Sequence, residues 1–124
     1  MRSVLRWNGL ALTWCSMLRT MPRAVERMPH ASIGVDVIVG FPGESKEKFL
    51  ASVDFIKSLQ ISYLHVFTYS ERPNTTALRI DAVVPVPERK ERNKTLRNVS
   101  LKAQRAHYEA FLGREMDVLF EDCL

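Results

Sequence analysis

Cysteine is scarce in this chain of 124 residues: the only two, Cys15 and Cys123, stand near opposite ends. That spacing makes neither a CxxC metal clip nor a disulfide framework, and it fits a reducing, cytoplasmic setting. A run of about 20 apolar residues, which a membrane-spanning helix needs, is also missing. The nearest approach, Trp7 to Leu18 between Arg6 and Arg19, is diluted by Asn8, Gly9, Thr13 and Ser16 and is followed by no small-residue cleavage site, so neither a membrane span nor export is expected. Gly40-Phe41-Pro42-Gly43-Glu44-Ser45-Lys46 lacks the glycine and lysine spacing of a phosphate-binding loop. No paired carboxylates and no Ser-His-Asp set sit at recognisable spacing, and His30, His65 and His107 are far apart. No catalytic residue and no metal ligand is therefore assigned. Internal repeats and low-complexity tracts are absent.

What is present suits one modest globular domain, with 46% of residues hydrophobic. Eighteen basic against fourteen acidic side chains give a net charge of +4, and the excess is localised. Residues 1–30 carry five basic and one acidic, 31–86 five and six, 87–114 eight and three, and 115–124 none and four. A short helix around 3–18 is expected, followed by an irregular or short helical stretch. Ile33 to Val39 is a β-branched run closed by Gly40-Phe41-Pro42-Gly43, which predicts a strand running into a turn, apolar enough to be covered on both faces. Ser45 is a candidate N-cap, with Glu47 in the first turn. Phe49, Val53 and Ile56, joined by Leu50 and Leu59, mark one buried helix face. Ile61 to Tyr69 alternates, with Tyr63, His65, Phe67 and Tyr69 on one side and Leu64, Val66 and Thr68 on the other. Strand, helix and strand at this spacing predict a βαβ unit with neighbouring parallel strands. Ser70 to Val86 is a long connection, and Pro87 opens a helix over 87–112 whose Leu96, Val99, Ala103, Ala106 and Ala110 follow a three-four repeat to Gly113. Met116 to Glu121 is expected to be a last strand.

Four ordered blocks carry a resemblance: Gly34 to Glu44, Tyr63 to Thr75, Lys90 to Lys94, and Tyr108 to Glu121. Together they resemble the radical-SAM tRNA methylthiotransferases, most closely the branch acting on threonylcarbamoyladenosine beside the tRNA anticodon, over about Ala24 to Leu124. The resemblance implies an α/β fold: the last βαβ part of a partial radical-SAM (β/α) barrel over 24–86, a basic linker helix over 87–114, and over 115–124 the first strand of a truncated TRAM-like β domain. Residues 1–23 depart from the family pattern. It also implies S-adenosylmethionine and [4Fe–4S] clusters as cofactors and tRNA as partner. The Cys-x-x-x-Cys-x-x-Cys loop that holds the cluster is absent, so the chain is expected to be a C-terminal fragment, inactive alone.

Within the resemblance, Ile38, Gly40, His65 and Phe67 fall where the family lines its adenosylmethionine pocket: an aliphatic cover for the adenine, a glycine that lets backbone approach, and an inward-facing strand. A tight turn would equally explain Gly40, and a satisfied core position would explain His65. Arg72, in Ser-Glu-Arg-Pro-Asn-Thr, is a candidate contact for RNA or for the cofactor carboxylate. The cations of the basic helix, Arg89, Lys90, Arg92, Lys94, Arg97, Lys102 and Arg105, are candidate phosphate contacts, with Arg89, Lys94 and Lys102 singled out, against the alternative of a solvated helix face. The rival function is a non-enzymatic RNA-binding or interaction module.

Overall fold

The computed structural model describes residues 20–117. Helix α1 covers 20–27, strand β1 Gly34–Val39, helix α2 Lys46–Ser58, strand β2 Tyr63–Thr68 and helix α3 Val86–Glu109, with a single 3-10 turn at Thr76–Arg79. The expected helix around 3–18, both cysteines and Val118 to Glu121 of the expected last strand lie outside the described residues. Met116 and Asp117 carry no regular structure.

The expected βαβ unit is present. β1 and β2 are parallel neighbours in a two-stranded sheet, with Gly34 opposite Tyr63, Asp36 opposite His65 and Ile38 opposite Phe67. Ser45 caps α2, its side chain accepting from the Lys48 backbone N–H at 3.3 Å. Phe49, Val53 and Ile56 are the buried residues of α2. Leu50, expected to join them, is half exposed, because the buried stripe is only as wide as the narrow sheet beneath it. The core is Val39, Phe49, Val53, Ile56, Leu64 and Leu96, with Val35, Val37, Val66 and Val99 packed against it. Each such side chain contributes roughly 1.5–3 kcal/mol by burial.

Two expectations are corrected by the packing. The apolar run of β1 predicts cover on both faces, yet burial alternates along it: Val35, Val37 and Val39 turn inward while Gly34, Asp36 and Ile38 are exposed. Among the described residues both α2 and α3 pack on the valine side, so His65, Phe67 and Ile38 share an open face with half-buried Tyr63 between them and Gly34. Gly34 is bare because a Cβ there would meet the Tyr63 ring at 2.4 Å. The second correction concerns the three-four repeat of α3. Leu96 is buried and Val99 and Ala103 are half-buried, but Ala106 and Ala110 are exposed. The repeat instead continues backwards from Leu96 to Arg92 and Arg89, both buried.

α3 lies along the outer edge of β2, where side chains take the place of a neighbouring strand. Ser100 Oγ accepts from Leu64 N–H at 2.8 Å and donates to Leu64 C=O at 3.0 Å. Asn93 Nδ2 donates to Val66 C=O at 3.2 Å and to Thr68 Oγ1 at 3.1 Å. Backbone groups that would otherwise be a liability at a sheet edge are thereby satisfied. Among the described residues, no helix is long and apolar enough to cross a membrane.

Candidate functional site

The carboxyl ends of parallel strands are where α/β proteins place ligands. Here that end is built by two arginines of α3. Arg89, 3% exposed, donates from Nε to Val84 C=O at 2.7 Å, from Nη1 to Tyr69 C=O at 3.1 Å, and from Nη2 to the Glu71 carboxylate. Its guanidinium also lies over the Tyr69 ring, 5.5 Å from the centroid. Arg92 donates to the Glu44 carbonyl at 2.8 Å and to the carboxylates of Glu44 and Glu88. Glu44 in turn accepts from Gly40 N–H at 2.8 Å. Thus Arg92 fixes the turn after β1 and Arg89 the loop after β2.

The electrostatics follow. The hydrogen bond from Arg89, helped by a backbone N–H of Glu71 itself, holds the Glu71 carboxyl below its ordinary range. Arg89 is raised further by the Glu71 hydrogen bond. For Arg92 burial pulls downward as the largest single influence, and the hydrogen bonds to Glu44 and Glu88 together outweigh it.

Between the strand ends and the loop after β2 is a hollow of about 450 Å³ whose lining includes Ile38, Phe67, Tyr69, Ser70, Arg72 and Thr75. It brings together three of the residues singled out in the sequence: Ile38 and Phe67, side by side in register and 60% and 53% exposed, and Arg72. Arg72 sits in a tight loop in which Thr75 Oγ1 donates to its carbonyl at 3.0 Å and Asn74 has φ +64. His65 is on the same open face, one row below, its ring edge-on to Tyr63 at 5.0 Å. Gly40 is placed differently. It is buried with φ +78, and a Cβ on it would meet Arg89 Cγ at 2.4 Å, so its bare α-carbon accommodates the arginine. Apolar faces beside a guanidinium match a ligand with a flat ring at one end and a carboxylate at the other.

The cationic helix sorts itself into classes that its sequence does not separate. Arg89, expected to face RNA, has its donors committed to protein acceptors and is out of reach of a phosphate. Arg105 pairs with Glu109 at 2.8 Å. Lys94 and Lys102 are exposed, but at about 100° per residue they lie roughly 80° apart around the helix. Sequence reasoning gave Arg92 to phosphate rather than to Glu44 and Glu88, and assigned no such role to Asn93, Ser100 or Glu44. For Arg92 a signal existed, since 89, 92, 96, 99 and 103 form one unbroken three-four series. Among the described residues no group of three or more His, Cys, Asp or Glu converges as a metal site.

The residues 20–117 therefore define an α/β unit that presents a hollow at its strand ends and a basic helix beside it. No family model matches the sequence. Individual relatives do. The chain is 43% identical over 95 residues to the threonylcarbamoyladenosine tRNA methylthiotransferase of Aquifex aeolicus, covering 77% of this chain and 23% of that protein. It is 37% identical over 119 residues to the tRNA-2-methylthio-N(6)-dimethylallyladenosine synthase of Symbiobacterium thermophilum, covering 96% and 25%. To a ribosomal-protein methylthiotransferase of Koribacter versatilis it is 35% identical over 103 residues, covering 80% and 20%. Over most of its own length the chain is thus similar to a segment of radical-SAM methylthiotransferases. It spans about a quarter or less of the length of these relatives.

Proposed function

We propose that this chain is the C-terminal part of a methylthiotransferase acting on threonylcarbamoyladenosine in tRNA, with Gly34–Val39 and Tyr63–Thr68 as the last two strands of its partial (β/α) barrel. Val86–Glu109 is the linker helix, and the residues from 115 onward begin the TRAM-like β domain. The observation that carries this reading is the meeting of Ile38, Phe67 and Arg72 around one hollow at the strand ends. In it Ile38 and Phe67, side by side on one face, would form a wall for the adenine of S-adenosylmethionine and Arg72 would take its carboxylate, while Arg89 and Arg92 hold the two loops in place. His65 lies beside them on the same face, and Gly40 serves through the room it leaves for Arg89. When bound, that cofactor supplies the radical and methyl chemistry; the protein's contribution is binding and orientation.

A [4Fe–4S] cluster does not fit this chain's own residues, since a cluster with one open iron takes three thiolates and the sequence has two cysteines. The chain alone is accordingly inactive as a methylthiotransferase. The test is a chimera in which residues 24–117 replace the matching segment of the Aquifex relative, assayed by mass spectrometry for the 2-methylthio nucleoside. Product is expected, and Arg72→Ala should reduce it. A folded, cluster-loaded chimera without product would overturn the reading.

A second reading, a non-enzymatic RNA-binding module, is favoured by one observation. Lys90, Lys94, Arg97 and Lys102, exposed on α3, have no acidic partner among the described residues.

A further inference from the structure

We infer that α3 and the end of β2 form a binding site for the phosphodiester backbone of single-stranded RNA, with Lys90, Lys94 and Arg97 on the phosphates and Phe67 as a ring for an unstacked base. Seven cations lie on α3. Arg89 and Arg92 are buried, Arg105 is paired, and Lys102 is turned away around the helix. Lys90, Lys94 and Arg97 remain, at i, i+4 and i+7, in one line. None of the three has an ion-pair or hydrogen-bond partner among the described residues. Like charges at i, i+4 repel and destabilise a helix, so the line does not serve the stability of α3.

The line borders a hollow rather than a convex surface. Lys90, Lys94 and Arg97, with Thr68, Asn98 and Leu101, line about 470 Å³ beside the carboxyl end of β2. A neighbouring hollow of about 390 Å³ shares Arg97 and Leu101 with it and is lined also by His65 and Phe67. Phe67 and Leu101 are 53% and 62% exposed. Cations that track a backbone next to an accessible aromatic ring are the arrangement that holds single strands, because only a base outside a duplex stack can reach such a ring. Phe67 also lines the strand-end hollow, so a base stacked there would stand beside the proposed cofactor pocket.

The inference rests on the RNA-directed part of the proposed function, and its readout is separate: RNA affinity of the full chain, not product from the chimera. Fluorescence anisotropy with a short labelled mixed-sequence RNA would compare Lys94→Gln/Arg97→Gln with the charge-matched Lys46→Gln/Lys57→Gln on α2. The first pair should lose tenfold or more in affinity, and its log-log salt slope should become shallower by about 1.4. The second should stay within about twofold of the unaltered chain. Equal losses in both pairs, or no binding by the unaltered chain, would overturn the site. Equal affinity for the same sequence as a duplex would overturn the single-strand assignment, and competition by polyglutamate as strong as by RNA would overturn the RNA assignment. A second measurement needs no variant: bound RNA should shield Lys90 and Lys94, but not Lys46 and Lys57, from amine acylation. Uniform shielding would contradict the site.

Discussion

At the scale of residues, Arg92 and Arg89 organise the strand ends. Removing one partner of a buried ion pair leaves the other uncompensated, which costs about 3–5 kcal/mol. Arg92 is 5% exposed and Glu44 beside it 10%, so Arg92→Ala should lower stability by about 3 kcal/mol in urea unfolding. A loss under about 1 kcal/mol would show that water replaces the guanidinium. Glu71 gives a pH signature. Its carboxyl is held below the ordinary 4.5, so the stabilisation it provides is fully present above pH 4.5 and disappears as pH falls through the depressed folded value. Glu71→Gln should flatten the loss of stability in that acid window, and an unchanged acid limb would contradict the assignment. These two arginines were legible in principle: extending the three-four repeat of Leu96 backwards reaches both. They were hidden because charge is ordinarily a sign of solvent, and it is contact with the Glu44 and Glu71 carboxylates and the Glu44 and Tyr69 carbonyls, distant in sequence, added to nearby Val84 and Glu88, that makes their burial tolerable.

At the scale of elements, both strands, the cap at Ser45 and the buried stripe Phe49, Val53 and Ile56 could be read directly, because each depends on a period of two or of 3.6 within a few residues. The alternation in β2 also placed His65 and Phe67 on a common face. What could not be read was the face left open beside Ile38, since apolar composition does not say whether a covering layer is contributed by the same residues. Nor could the edge cover be read: Ser100 and Asn93 look like polar surface positions of a helix until β2 is laid beside them. The edge contacts should be visible in hydrogen exchange. The Leu64 amide, together with those of Val37 to Val39, should be among the slowest in residues 20–117, and Ser100→Ala should speed exchange at Leu64 by tenfold or more while leaving Val37 to Val39 little changed. Equal acceleration at both places would mean that Ser100 acts on global stability rather than on the edge.

At the scale of the whole molecule, the methylthiotransferase relatives match most of this chain, whereas the chain matches only a fraction of each of them. The division of labour proposed here follows from that proportion: strand ends, loop and basic helix come from this chain, and cluster ligation from elsewhere. Anaerobic reconstitution with iron and sulfide should accordingly yield no stoichiometric [4Fe–4S] cluster, and a cluster spectrum with about four irons per chain would refute the division. The hollow between the strand ends and the loop held by Arg89 remains the centre of the functional reading. The most direct measurement of it is an amide-resolved NMR titration of the chain with S-adenosylmethionine. Shifts should concentrate on Ile38 and on Phe67 to Arg72, and should shrink in Arg72→Ala; shifts confined to the opposite end of the sheet, around Ser62 and His107, or none at millimolar ligand, would contradict it.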